Sequence, residues 1–238
     1  MGLFERYLNG ETESVYEDIY KLESEAFNSG VFPEVESVLI ETFRRVRFNL
    51  EIIYKELLLE DYLFTSPVEF DWQKPLTDPD PGTEELLLEI KDKLGKNGDI
   101  PISLQYFYRQ IGSCNFCWDY KMNDDIPWEC ADPVDIPPLR NLIEIIDEYG
   151  TDYEFGEEGI LIAGDYYTKD NISGSAYSIQ ITNGKKVDSL LIHKEWNIPF
   201  INYLRITFQN CGFSRADRLE YESLNSFCER IRPKLKQI

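Results

Sequence analysis

The sequence contains no run of about 18 apolar residues, so we expect no helix that spans a membrane. Its first ten residues include Glu5 and Arg6 but no apolar stretch, so we also expect no secretory signal. The glycine patterns that hold dinucleotides or the phosphates of nucleoside triphosphates are missing as well. These absences predict a cytoplasmic protein that uses no cofactor.

Histidine is equally scarce, since His193 is alone among 238 residues. Cys114 and Cys117 have a metal-type spacing and Cys130 lies near them, but a structural zinc site needs four ligands. Residues three apart on a strand also face opposite sides of the sheet. We therefore expect no metal centre and interpret the five cysteines as reduced thiols.

Carboxylates are abundant enough to supply any acid–base pair, so a pair of acids by itself indicates no catalytic site. A Ser–His or Cys–His pair could use only His193, which we predict to lie at the surface because charged residues follow it. Asp165 follows the apolar residues 160–164 and is a candidate for a partly buried acid with a raised pKa. The alternative, which we favour, is that Asp165 hydrogen-bonds the backbone of the turn over residues 165–174.

Basic residues are few relative to acidic ones, and the formal net charge is −20. The charge is uneven: residues 1–99 carry −13, residues 100–170 carry −11, and residues 171–238 carry +4. A strongly negative potential repels phosphate backbones and anionic lipid surfaces, so nucleic acid and membranes are poor partners. It attracts basic proteins and accelerates their association, although acidic composition also serves solubility alone.

The apolar pattern of the first part of the chain predicts helices. Pro33 opens a helix to about Leu59, and its apolar residues are spaced alternately four and three apart, as in a heptad seam. Residues 65–82 hold four prolines between stretches of regular structure and read as a linker. Thr83 is then predicted to cap a helix that runs to about Leu94. We predict an acidic helical extension with a proline-rich linker over residues 1–82.

The remaining residues, 83–238, combine helical and strand patterns. Pro101 begins a short helix that ends at Gly112, and strand-forming residues follow it. Residues 159–165 are almost continuously apolar, as in a central strand. Asn183-Gly184 predicts a hairpin turn, and two helices close the chain. The sequence therefore predicts an α+β fold with a mixed, largely antiparallel sheet covered by helices.

Several of these pieces, in this order, resemble the SUKH superfamily, which includes bacterial immunity proteins and a yeast cell-wall-assembly regulator. The matching pieces span roughly residues 95–215 and are Ile111-Gly112-Ser113, Asn115-Phe116, Asp132-Pro133-Val134, Gly164-Asp165, the segment 172–181, the segment 200–205 and Cys211-Gly212-Phe213. The resemblance implies a SUKH-like α+β domain over residues 83–238. It further implies a non-enzymatic immunity protein that neutralises a toxin of a bacterial polymorphic toxin system.

A cluster of acids around one tryptophan is the candidate partner-binding surface. An aromatic anchor within a charged rim is typical of a protein–protein hot spot. The alternative, which the sequence leaves equally open, is that Trp128 packs beneath its own loop. The candidate residues are Asp119, Asp124, Asp125, Trp128, Glu129, Asp132, Asp135 and Asp165.

Three functions follow from these observations, in decreasing order of support. The first is an immunity protein that covers the active surface of a basic, nuclease-type toxin domain, since such toxins are common partners in the family that the chain resembles. The second is an intracellular scaffold or regulatory adaptor, as the yeast relative suggests. The third is an acid-catalysed hydrolase that uses Asp165.

Overall fold

The acidic N-terminal part of the chain is helical. The computed structural model describes residues 1–65, 74–95, 98–119, 128–150 and 159–238. Helices α1 (Leu3–Leu8), α2 (Thr12–Leu22) and α3 (Phe32–Leu59) come first, with a 3-10 turn over Glu23–Phe27. The heptad seam of α3, from Leu39 to Leu57, is completely buried. The predicted helix over residues 33–59 is therefore confirmed.

Short helices and strands alternate in the rest of the chain. The helices are α4 (Thr83–Leu94), α5 (Ile102–Gln110), α6 (Leu139–Tyr149), α7 (Tyr166–Lys169), α8 (Phe200–Gln209) and α9 (Glu222–Ile231). The strands are β1 (Cys114–Asn115), β2 (Asp135–Ile136), β3 (Gly159–Gly164), β4 (Ala176–Gln180), β5 (Leu190–His193) and β6 (Trp196–Pro199). Short 3-10 turns cover Ala216–Arg218 and Arg232–Lys234.

The strands form two small sheets, and each described pairing is antiparallel. β1 pairs with β2, and the second sheet has the order β3-β4-β5-β6. The α+β class is confirmed, although the parallel pairing that a mixed sheet needs does not occur among the described strands. Sequence reasoning missed β6, which pairs with β5 through a tight hairpin in which His193 faces Trp196. Within the described ranges, no helix has both the length and the apolar character needed to cross a membrane.

One hydrophobic core joins the two sides of the predicted boundary at residue 82. Phe43 of α3 meets Phe107 of α5 edge to face, with ring centroids 6.4 Å apart. The Tyr62 hydroxyl donates to the Phe116 carbonyl oxygen at 2.6 Å. The division into an extension and a domain stays a prediction, but buried residues of the extension belong to the same hydrophobic core as those of the domain.

Candidate functional site

The acids of the predicted binding surface divide into buried and exposed groups. Asp132 and Asp165 are completely buried, whereas Glu129 is exposed and Asp119 is half-buried. Asp124 and Asp125 lie outside the described residues. The predicted residues therefore do not form one continuous surface, because two of the acids face the interior.

Trp128 belongs to the core, which decides between the two alternatives that the sequence left open. Its side chain is 4% exposed, and its ring packs against Tyr62, Phe213 and Phe227 at centroid distances of 5.3–5.8 Å. The indole N–H donates to Ser223 Oγ at 2.8 Å. The interpretation of Trp128 as an exposed anchor is wrong, because aromatic residues from distant parts of the chain cover it.

Asp132 is the centre of a buried polar network. Its carboxylate accepts hydrogen bonds from Lys169 Nζ at 2.6 Å, from the Tyr177 hydroxyl at 2.7 Å and from Ser214 Oγ. Lys169 Nζ also donates to the Pro133 carbonyl oxygen at 2.8 Å. The nearby Asp132 carboxylate outweighs the effect of burial and raises the pKa of Lys169, so the lysine stays charged.

Local backbone structure brings these groups together. Asp132 has a left-handed conformation (φ 60°), which Asp tolerates better than most residues. Its carbonyl oxygen accepts from the Ser214 N–H, and the Val134 N–H donates to the Gly212 carbonyl oxygen, both at 2.9 Å. Lys169 ends α7, and its Nζ donates to this paired segment at Asp132 and at the Pro133 carbonyl oxygen. The network thus joins four parts of the chain, around Asp132, Lys169, Tyr177 and Ser214, that sequence spacing does not connect.

Asp165 caps the N-terminus of α7, as the favoured alternative predicted. Its Oδ1 accepts from the backbone N–H and the hydroxyl of Thr168, both at 3.0 Å. Burial alone would raise the pKa of Asp165, but hydrogen bonds from Thr168, Ser175 and His193 lower it to about 2. The raised pKa considered from the sequence is therefore wrong, and Asp165 stays ionised in the interior.

His193 is buried next to Asp165, so its predicted surface position is wrong. It is 3% exposed, and its Nε2 lies 3.4 Å from Asp165 Oδ2. Burial lowers the pKa of His193, against the effect of the neighbouring carboxylate. The ring also packs on Tyr177 at 4.7 Å, which links the Asp165 pair to the Asp132 network. An Asp–His pair can relay protons, but this one is closed to a substrate by its burial.

Among the acids of the predicted binding surface, Asp135 has a buried oxygen without a hydrogen bond from any described residue. Its Oδ1 is buried and has no hydrogen-bond partner among the described residues. Burial raises the pKa of Asp135 to about 6. Asp170, which sequence reasoning did not single out, also has its pKa raised to about 6, by burial and by the charge of Glu129. Both carboxyl groups therefore titrate close to neutral pH.

A more accessible acidic surface lies on α4 and α6, which pack side by side. Lys93 of α4 bridges to Asp147 of α6 at 2.6 Å, and Leu88 between the acids of α4 is 63% exposed. The exposed acids of this surface, which we name the α4–α6 face, are Glu85, Glu89, Asp92, Glu144, Asp147 and Glu148. The acids of α4 recur at helical spacing, which indicates this face in the sequence, but the packing of α6 beside α4 cannot be read there.

A cavity of about 590 Å³ opens between α2 and the turn that precedes β5. Lys185 and Lys186 line its rim, while Tyr20 and Asp188 lie in its wall. Asp188 accepts hydrogen bonds from Ser103, Tyr20, Ser189 and Ile201, which occupy its oxygens. Asp188 therefore serves to join α2, α5 and the start of α8.

Comparison with known proteins found no matching family model, no similar curated protein and no similar solved structure. The resemblance to the SUKH superfamily stays a prediction, and the functional argument depends on the geometry and charge of this chain.

Proposed function

We propose that this chain is a non-enzymatic binding protein that neutralises a basic toxin domain by covering its active surface. The observation that carries the proposal is the negative charge of −20 together with the exposed acids of the α4–α6 face. The partner class is the one that the SUKH resemblance implies, a nuclease-type domain with a basic cleft.

The division between buried and exposed acids supports binding rather than catalysis. Asp132, Asp165 and His193 are the groups best placed for acid–base chemistry, and all three are buried: His193 lies against Asp165, and Asp132 accepts from the Tyr177 hydroxyl. On the α4–α6 face, Glu85, Asp92 and Glu148 form no ion pair with a described residue. Their carboxylates are available to occupy positions that a basic cleft offers to phosphate groups.

Neutralisation follows from electrostatic steering and then from contact. The negative field increases the rate of encounter with a basic domain, and the effect weakens as salt screens the charges. The exposed Leu88 of α4 offers an apolar contact, which a purely electrostatic encounter lacks. Glu129, which is exposed, and Asp119, which is half-buried, are further acids at the position that the sequence indicated.

The first experiment is co-purification from the native organism at low and then at high salt. We expect a basic protein to be retained at low salt and released at high salt, and its nuclease activity to disappear when this chain is added back in equimolar amount. A retained partner without toxin activity, or with activity that persists in the complex, would favour the scaffold or adaptor function instead.

Charge-neutralised variants then locate the surface. The triple variant Glu85→Gln, Asp92→Asn, Glu148→Gln should lose most of the salt-sensitive binding. Its control, Glu220→Gln, Glu222→Gln, Glu229→Gln, changes the net charge equally on exposed residues of the C-terminal part and should bind nearly as the wild type. Equal losses in both triples would assign the effect to total charge and not to the α4–α6 face.

A further inference from the structure

Two of the five cysteines, one just after α8 and one within α9, lie close together. Cys211 follows α8 in a left-handed conformation (φ 59°), and Cys228 lies within α9. Cys211 Sγ donates to the Cys228 carbonyl oxygen at 3.4 Å, and Cys228 Sγ lies 3.8 Å from the Asn210 carbonyl oxygen. Each sulfur therefore reaches the backbone beside the other cysteine, which places the two thiols against each other.

The surroundings give the two thiols different roles. The adjacent Cys211 thiol lowers the pKa of Cys228, and the nearby Arg232 guanidinium lowers it further. The same pairing raises the pKa of Cys211. Arg232 is held in place by donating from Nε to the Gln209 carbonyl oxygen at 2.9 Å. Because the thiolate is the reactive form, Cys228 is suited to attack and Cys211 to resolve.

The other three cysteines lack this arrangement. Burial raises the pKa of the Cys114, Cys117 and Cys130 thiols. Cys130 is the most accessible of the five, since it is half-buried while the other four are buried. It is therefore a suitable internal reference for oxidation that depends on access alone.

We propose that Cys211 and Cys228 form a thiol–disulfide site that a peroxide oxidises. The Cys228 thiolate attacks one oxygen of hydrogen peroxide, the O–O bond breaks, and hydroxide leaves, so Cys228 becomes a sulfenic acid. The Cys211 sulfur then attacks the Cys228 sulfur, the S–S bond forms, and the S–O bond breaks as water leaves with the Cys211 proton. The peroxide gains the two electrons that the two thiols lose.

The position of the bond connects it to the Asp132 network. The segment that follows Cys211 pairs with the segment around Asp132 through the Gly212 carbonyl oxygen and the Ser214 N–H. A covalent link from Cys211 to α9 restrains that segment in the folded chain and in the unfolded one. Oxidation should therefore raise the thermal unfolding midpoint, and reduction with dithiothreitol should restore it.

The test uses the full chain treated with hydrogen peroxide, alkylated without reduction and mapped by mass spectrometry. The expected result is one linked peptide pair containing Cys211 and Cys228, with the loss of two hydrogen atoms and a higher Tm. Cys130→Ser should behave in the same way, whereas Cys211→Ser should leave a sulfenic acid on Cys228 that dimedone traps.

Two results would overturn the proposal. One is that Cys130 oxidises while Cys211 and Cys228 both stay reduced over the same exposure. The other is a disulfide that joins a different pair. The mapping of the wild-type chain decides between these outcomes even if a serine variant fails to fold.

Discussion

The buried acids around α7 and the exposed acids of the α4–α6 face share one chemistry in opposite surroundings. Asp132 and Asp165 are completely buried, and hydrogen-bond donors from several elements surround their oxygens. Glu85 and Asp92 are exposed and form no ion pair with a described residue. The buried acids therefore contribute to folding, while the exposed ones dominate the field that a partner meets first. A net charge counts both alike, so only the structure separates them.

The largest expected effect comes from removing the cation of the buried network. Lys169→Met leaves the Asp132 carboxylate without its ion-pair partner in the interior, where both side chains are at most 2% exposed. We expect a loss of about 3–5 kcal/mol in the free energy of unfolding. Urea denaturation monitored by tryptophan fluorescence measures the loss.

The matched control removes both charges together. The double variant Asp132→Asn, Lys169→Met keeps a residue that tolerates the left-handed conformation and keeps partners for Tyr177 and Ser214. It should recover most of the lost stability, since an uncharged pair needs no compensation in the interior. If the double variant is no more stable than Lys169→Met, the unpaired carboxylate is not the cause of the loss.

A smaller effect is expected at Gly174, which packs against the cap of α7. A Cβ at this position would clash with Asp165 Oδ1 and would lie 2.9 Å from the Thr168 backbone nitrogen. Gly174→Ala should therefore destabilise the chain by about 1–3 kcal/mol through overpacking. Gly30→Ala is the control, because a Cβ at Gly30 meets nothing within 4 Å. Equal thermal shifts in the two variants would contradict this account of the cap.

Asp165 should also produce a distinct dependence of stability on pH. Its pKa is lowered from 3.8 to about 2 in the folded chain, so the folded state binds its proton less tightly than the unfolded state. The stabilisation is complete above about pH 4 and is lost as the pH falls towards 2, by roughly 1–2 kcal/mol. Asp165→Asn should flatten that part of the curve in chemical denaturation measured between pH 2 and 5. A variant curve that runs parallel to the wild type would assign the acid lability to other groups.

The contribution of Asp135 to stability should depend on pH in the opposite direction from that of Asp165. Its pKa is raised from 3.8 to about 6, so its contribution is favourable at low pH and is lost as the pH rises through about 6. Asp135→Asn should therefore gain about 1 kcal/mol at pH 7.5 relative to the wild type and nothing near pH 4. Asp170 titrates in the same range but is present in both proteins, so its contribution cancels in the difference between them.

Local signals in the sequence predicted elements that depend on neighbouring residues, such as the heptad seam of α3 and the start of α4 at Thr83. The predicted tight hairpin turn at Asn183-Gly184 is wrong, because residues 181–189 connect β4 to β5 and Thr182 pairs with the distant Asp99. The tight β5–β6 hairpin was missed because its charged turn residues follow His193 and indicate a surface, while the His193 ring itself packs inward on Tyr177.

The polar network was beyond sequence reasoning because its contacts join distant positions. Asp132 meets Lys169, Tyr177 and Ser214 across separations of 37, 45 and 82 residues. Similarly, the acids near Trp128 gave it the pattern of a hot spot, whereas residues as distant as Tyr62 and Phe227 cover it. Exposure is a property of what packs on a residue, and that information lies elsewhere in the chain.

The smallest effect on stability is expected where the effect on binding is largest. Glu85, Asp92 and Glu148 are exposed and form no ion pair with a described residue, so neutralising all three should change the free energy of unfolding by less than about 0.5 kcal/mol. The association rate with a basic partner should nevertheless fall, and its salt dependence should weaken, while the dissociation rate changes less. Stopped-flow kinetics at several salt concentrations, beside urea denaturation of the same variant, measures both quantities. A variant that loses stability as well would show that these acids belong with Asp132 and Asp165 in the folding of the chain, and the contrast between the two regions would fail.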